Sequence, residues 1–184
     1  MHPRVFQEFE RVCSERGVGG SVLEVGAIAS NMSLLCMKSL EKATEKIGIN
    51  LDGPHEFKDF KILQGNGNSM ECFEDNRFDL VVCNATIEHD KYFWKTIAEI
   101  RRVTKVDGLI VIGAPGYTRF ARDLGSKSIL NLLFNATITY RIHGGHDYYR
   151  FSPQSFKEVL FEGMKNVEIR TIMLPPRIIG VGTK

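Results

Sequence analysis

The chain lacks closely spaced cysteines. Its four, Cys13, Cys36, Cys72 and Cys83, stand too far apart for a paired zinc motif or a compact disulfide framework. Buried free thiols are expected, since cysteine favours interiors. An excess of one charge is also missing: 24 Lys and Arg against 22 Asp and Glu leave a net +2, without the basic stripe that marks a nucleic-acid binder. No segment reaches the roughly 18 uncharged apolar residues of a membrane span. The opening MHPRVFQEFERVCSERG carries charges throughout and no apolar core of an export signal. These absences point away from nucleic acid and membrane as partners and toward the cytoplasm. No internal repeat or low-complexity segment is visible. What remains is 184 residues, 43% apolar and 25% charged, which suits one domain spanning 1–184 with a single sizeable core.

Periodicity places the elements. Val5, Phe6, Phe9, Val12 and Cys13 recur at helical spacing, so an amphipathic helix is expected up to the glycines at 17–20. SVLEVG reads as a strand, followed by a helix over Met32–Lys46 with Leu34, Leu35, Met37, Leu40 and Ala43 on its apolar face. KIGINLDG and FKILQGNGN read as the second and third strands. FDLVVCN, Phe78–Asn84, is a continuous apolar run of the kind buried on both faces of a parallel sheet. A helix from Asp90 to Val103 has an acidic residue at its positive end and Arg101 and Arg102 at its negative end. GLIVIGAPG makes a fifth strand. The stretch 119–140 reads either as a core-packed helix or as a lid, and 119–150 as a lid or substrate-binding insertion. Ser152 caps a short helix, Gln154–Glu162, with Pro153 at its first position, and VEIRTIML and RIIGVGTK form a last antiparallel pair.

Short apolar strands alternating with helices imply an α/β fold with helices on both faces of a mostly parallel sheet. Ligands of such sheets bind at the carboxyl ends of the strands. Gly26, Asp52, the Asn66–Asn68 loop and Asn84–His89 all fall at such ends. A glycine directly after a strand lets the main chain turn tightly and approach a ligand. The dinucleotide fingerprint G-x-G-x-x-G is absent, which disfavours a nicotinamide-dependent oxidoreductase.

Glu24-Val25-Gly26, the FDLVVCNATIEHD segment and EIRRVTKVDGLIVIGAPG together resemble the class I S-adenosylmethionine-dependent methyltransferases of the methyltransferase type 11 group. Ile28 and Ser30 stand where that family has its second and third glycines, and Asp107 precedes Gly108 where it often has a glycine pair. The resemblance implies a Rossmann-like, doubly wound, seven-stranded sheet with an antiparallel last strand. It implies S-adenosylmethionine as cofactor, with Glu24, Gly26 and Ala27 in the first loop and Asp52 and Gly53 at the ribose. Asn66, Gly67, Asn68 and Met70 would meet the adenine, while Asn84, Ala85, Ile87 and Glu88 would line the cofactor's far side. Glu88 and His89 would face the methyl-transfer centre.

HDYYRFSP resembles an acceptor loop of the same family, often linked to sugars or small metabolites. His146 with Asp147 then offers a second base, and Tyr148, Tyr149 and Arg150 shape the acceptor pocket. A histidine suits removal of a proton from an acceptor hydroxyl near neutral pH, and the choice between His89 and His146 stays open here. His143-x-x-His146-Asp147 also has metal-ligand spacing, without a third ligand set on a rigid element, and no metal is expected. The leading expectation is a methyltransferase acting on a small molecule or sugar at oxygen. The alternative is a methyltransferase-like binding or regulatory module without activity. A homodimer fits either.

Overall fold

The structure, a computed structural model, describes residues 1–116, 146–173 and 176–184. It opens on helix α1 (Pro3–Arg16), whose ends are set locally. His2 accepts the Arg4 N–H at 3.2 Å, and Pro3 occupies a first-turn position where its missing N–H has no partner to lose. Gly17 ends the helix at φ +61°, a left-handed conformation that a Cβ would disfavour. Val5, Phe9, Val12 and Cys13 form the buried face, as the spacing predicts.

Eight strands follow among the described residues: β1 (Gly20–Val25), β2 (Ala43–Asn50), β3 (His55–Phe57), β4 (Phe60–Gln64), β5 (Phe78–Asn84), β6 (Thr104–Pro115), β7 (Lys165–Met173) and β8 (Pro176–Thr183). Their order across the sheet is β3-β4-β2-β1-β5-β6-β8-β7. The five from β4 to β6 are parallel. β3 runs against β4, and β8 against both β6 and β7. The expected count of seven is thus one short. The extra strand, β3, is three residues long at the sheet edge, too brief to declare itself by alternation.

Within β5, alternate residues enter opposite cores. Leu80 and Val82 join Val22 and Val111 under α1, while Val81 and Cys83 join Leu23, Val25, Ile110 and Ile112 on the other face. That second face is covered by helix α2 (Phe93–Val103) through Ile97, Ile100 and Val103, and by Phe156, Leu160 and Phe161. Burying each such side chain contributes about 1.5–3 kcal/mol, which is why this run reads so plainly as a central strand. Cys13 and Cys83 are buried, whereas Cys36 is half-buried and Cys72 exposed, and all four are free, so the expected burial holds for two of them.

The helix expected over Met32–Lys46 does not form. Two 3₁₀ turns, Leu34–Cys36 and Lys38–Leu40, take its place, and β2 has begun by Ala43. Among the buried residues of this stretch Leu34, Met37 and Leu40 fall every third position, the period of a 3₁₀ turn, with Leu35 buried beside the first. The buried Glu24 carboxylate fixes the first turn by accepting from Ser33 Oγ and from the N–H groups of Leu34 (3.1 Å) and Leu35 (3.4 Å).

Helix α2 begins at Phe93 rather than at Asp90, and its first turn carries no acidic residue. Asp90 instead accepts from Tyr92 N at 2.8 Å and from Thr96 and Asn68 through its other oxygen, so its charge serves the loop before the helix. Arg101 and Arg102 close the helix as expected. Ser152 forms a reciprocal capping box with Ser155 at the turn Pro153–Ser155, which runs on as a wider π turn, Phe156–Leu160. The stretch 119–140, read as a core-packed helix or a lid, lies outside the described residues, as does His143 of the metal reading, and of the possible insertion 119–150 only 146–150 are described.

Candidate functional site

The strand order reverses between β1 and β5, the topological switch point at which open α/β sheets take their ligands. A cavity of about 480 Å³ opens there, within the usual range for small-molecule and cofactor sites. Gly26 after β1, Asn50 at the end of β2, the loop after β4, and Ala85 and Thr86 after β5 form its floor.

The first loop is pinned down from three sides. Gly26 sits at φ +81°, and a Cβ there would lie 2.0 Å from Thr86 Oγ1, so the turn admits only glycine. The N–H groups of Gly26 and Ala27 both donate to the Ile49 carbonyl, at 2.8 and 3.3 Å. Asn50 Nδ2 donates to the Ala27 carbonyl at 2.7 Å. Ile28, where the resemblance has a glycine, is 44% exposed and lines the cavity as an apolar wall. Ala27 is buried beneath the loop and does not line it.

Glu24, expected at the cofactor, is likewise a support rather than a contact. It is 3% exposed, beneath the loop, and desolvation pushes its carboxyl up to about 7 against the pull of its three hydrogen bonds. The chain leaves this loop in 3₁₀ turns, so the positive end of an α-helix does not follow Gly26 directly.

Asp52, expected at the ribose, points outward: its side chain is 91% exposed and lies 3.2 Å from His55. Neither it nor Gly53 lines the cavity. Asn50, two residues earlier, does. The signal was available, because the last residue of a parallel strand stands at the sheet's ligand edge, whereas the sequence-based strand end ran past it to Asp52. The loop after β4 behaves more nearly as expected. Asn66, Gly67 and Asn68 line the cavity. Asn66 Oδ1 accepts the Asn68 N–H at 2.9 Å, and Asn68 Nδ2 donates to Asp90 Oδ2 (2.6 Å) and Thr96 Oγ1 (2.9 Å). Met70 is fully buried below the loop instead of presenting an apolar face to it, and its N–H is held by Glu99 at 2.6 Å.

After β5, Ala85, Thr86 and His89 reach the cavity, and Asn84 does not. The Asn84 Oδ1 is buried over Gly113, where an added Cβ would come within 2.6 Å of it. Ile87 is fully buried in the core. Glu88 is 2% exposed and paired with Arg177 at 3.4 Å, its acidity weakened by burial. Burial works on Arg177 in the same sense, drawing its guanidinium below its usual range.

Of the acceptor loop, Tyr148 lines the cavity. His146 stacks on the Tyr148 ring at 5.7 Å, and Asp147 is 3% exposed and paired with Arg150, so neither is a cavity wall. Sequence reasoning also passed over Asp90, Tyr92 and Thr96, which complete the wall beside Asn68. The residue set fits an adenosyl cofactor in kind. Ile28, Ile49 and Leu51 give apolar contact, while Asn50, Asn66, Asn68 and Asp90 bring polar groups to the same space.

Residues 23–112 match the family model for a methyltransferase domain. Over 98% of this chain and 93% of the other, the fold superposes on a SAM dependent methyltransferase from Archaeoglobus fulgidus, with a TM-score of 0.67 and 14% identity. A 1,6-didemethyltoxoflavin-N1-methyltransferase from Burkholderia thailandensis, with bound 1,6-didemethyltoxoflavin and S-adenosylhomocysteine, gives 0.69 at 15% identity, over 97% of this chain and 77% of that one. The N-methyltransferase NodS from Bradyrhizobium japonicum, in complex with S-adenosylhomocysteine, gives 0.67 at 12% identity, over 98% and 86%. No curated protein matches the chain in sequence. Residues 23–112 thus match a methyltransferase domain, and the strand order and switch-point cavity are those of the class I, Rossmann-like fold of S-adenosylmethionine-dependent methyltransferases.

Proposed function

We propose that this chain methylates a hydroxyl of a small molecule or sugar, working as one domain in the cytoplasm with S-adenosylmethionine as donor. The observation that carries the reading is the switch-point cavity, in which the ends of four parallel strands and the loop bearing Tyr148 meet. The donor brings an electrophilic methyl group on a sulfonium. The chain's part is to bind, align and keep water out, since charge disappears in the displacement.

Asn50, Asn66 and Asn68 hold the polar parts of the adenosyl group, Ile28, Ile49 and Leu51 cover its apolar faces, and Gly26 lets the main chain turn close beside it. Tyr92 and Tyr148, each nearly half exposed, stand at the acceptor's side with His89. Two of the similar structures are described as N-methyltransferases, so a nitrogen acceptor is the second reading.

Calorimetric titration with S-adenosylmethionine and S-adenosylhomocysteine, with NADH as comparator, tests the cofactor. Micromolar binding of both sulfur ligands and none of NADH is expected. Silence toward both would end the reading. A screen of hydroxyl and amine acceptors against the loaded protein then separates oxygen from nitrogen.

A further inference from the structure

The loop after β5 and the segment 146–150 hold one another by an exchange of contacts, and that exchange sets the state of one imidazole. The N–H groups of Tyr148 and Tyr149 donate to the Glu88 carbonyl at 2.8 and 3.3 Å. In return, Nδ1 of His89 is hydrogen-bonded to the main-chain carbonyl of His146. A carbonyl oxygen only accepts, so Nδ1 must carry the proton. In the neutral ring the other nitrogen, Nε2, is then a lone pair.

That lone pair has a carboxylate behind it. Nε2 lies 3.9 Å from Glu88 Oε1, beyond hydrogen-bond reach while it has no proton, yet placed for an ion pair once it gains one. His89 lines the cavity with its side chain 35% exposed, whereas the Glu88 side chain is 2% exposed. Among the described residues, Arg177 holds Glu88 through Oε1, and Glu88 Oε2 is buried without a hydrogen-bond partner. A carboxyl buried with one oxygen unpartnered is held there at a cost in free energy. Of the other charges nearby, Asp90 and Lys91 share the cavity wall with His89, and Asp147 is engaged by Arg150.

We propose that His89 removes the acceptor's proton at Nε2, with the His146 carbonyl fixing its tautomer and Glu88 acting as the positioning carboxylate. This rests on the methyl-transfer reading above. The acceptor O–H gives its proton to Nε2 as the oxygen–methyl bond forms and the sulfur–methyl bond breaks. The proton then passes from Nε2 to water, and the sulfur leaves as a neutral thioether. Glu88 faces the imidazolium in between. Of the two histidines the sequence offers, His146 thus contributes its main chain and not its ring.

The test is long-range ¹H–¹⁵N NMR on histidine-labelled protein with S-adenosylhomocysteine, the His89 ring being assigned with H89Q. The expected result is a neutral ring in the Nδ1–H tautomer, unchanged in H146Q. In the protonated ring, a downfield and slowly exchanging Nε2–H signal is expected in the wild type and lost in E88Q. An Nε2–H tautomer, a mixture of the two, or an Nε2–H signal indifferent to E88Q would overturn the proposal. Calorimetry on the same sample separates the two readings. Absence of S-adenosylhomocysteine binding sinks methyl transfer itself, while binding with the wrong tautomer sinks only the assignment of the base.

Discussion

Replacing Glu24 by glutamine should turn a pH-dependent support into a pH-independent one. The carboxyl is fully buried, and desolvation lifts it from an ordinary 4.5 to about 7 in the folded chain. Below pH 4.5 it is protonated in both folded and unfolded states and contributes no slope. Between 4.5 and 7 the folded chain keeps a proton that the unfolded chain has released, so stability falls as the pH rises. Above 7 both forms are ionised and the whole penalty is present, about 3 kcal/mol for a rise of that size. A glutamine never ionises; its one carbonyl oxygen can keep the Leu34 N–H while its amide N–H donates to Ser33 Oγ, so any lost hydrogen bond is a pH-independent offset. Urea unfolding of the wild type and E24Q at pH 5 and pH 8 measures the difference. Relative to the wild type, the variant should gain about 2.5 kcal/mol between the two pH values, since part of the penalty is already present at pH 5. A difference that is equal at both pH values would refute the claim that folding confines this carboxylate.

Other consequences follow from the same geometry. Gly26→Ala combines a left-handed backbone with a clash against the branched Thr86, so a loss of about 2–4 kcal/mol is expected in urea unfolding, and a loss under about 1 kcal/mol would contradict the close packing. Asn50→Ala should weaken S-adenosylhomocysteine binding about tenfold by freeing the Ala27 carbonyl and losing a cavity wall. Asp52→Ala, altering a side chain in solvent, should change it by no more than about twofold; the reverse ranking in calorimetry would restore Asp52 to the site. Arg102 joins α2 to the loop before β5 through Glu99, Asp75 and the carbonyls of Met70 and Phe73. Arg102→Met should therefore lower stability by about 2 kcal/mol, read as a shift of the urea midpoint.

Local rules carried a good part of the fold. The end of α1 was visible because Gly17 acts within one turn, and β5 was found residue for residue because a strand buried on both faces must be apolar throughout. The Ser152 cap and the β7–β8 pair were equally local, and Asn66, Gly67, Asn68, Ala85 and His89 reached the cavity because loops at strand ends have few other places to go. What sequence periodicity could not decide was where a side chain points once distant segments meet. Glu24 faces Ser33, Leu34 and Leu35 from across the first loop, and its demand for donors draws a short apolar stretch into 3₁₀ turns where the pattern suggested an α-helix.

Asp52 and Asn50 differ by two residues and by whether β2 has ended, a boundary set by pairing with β4 at Gln64. The protonated nitrogen of His89 is chosen by a carbonyl 57 residues away. Composition, caps and strand periods are properties of a few neighbouring residues, so the sequence alone determines them. Burial, hydrogen-bond direction and the state of an ionisable group depend on which groups approach from elsewhere in the chain, and only the tertiary structure decides those.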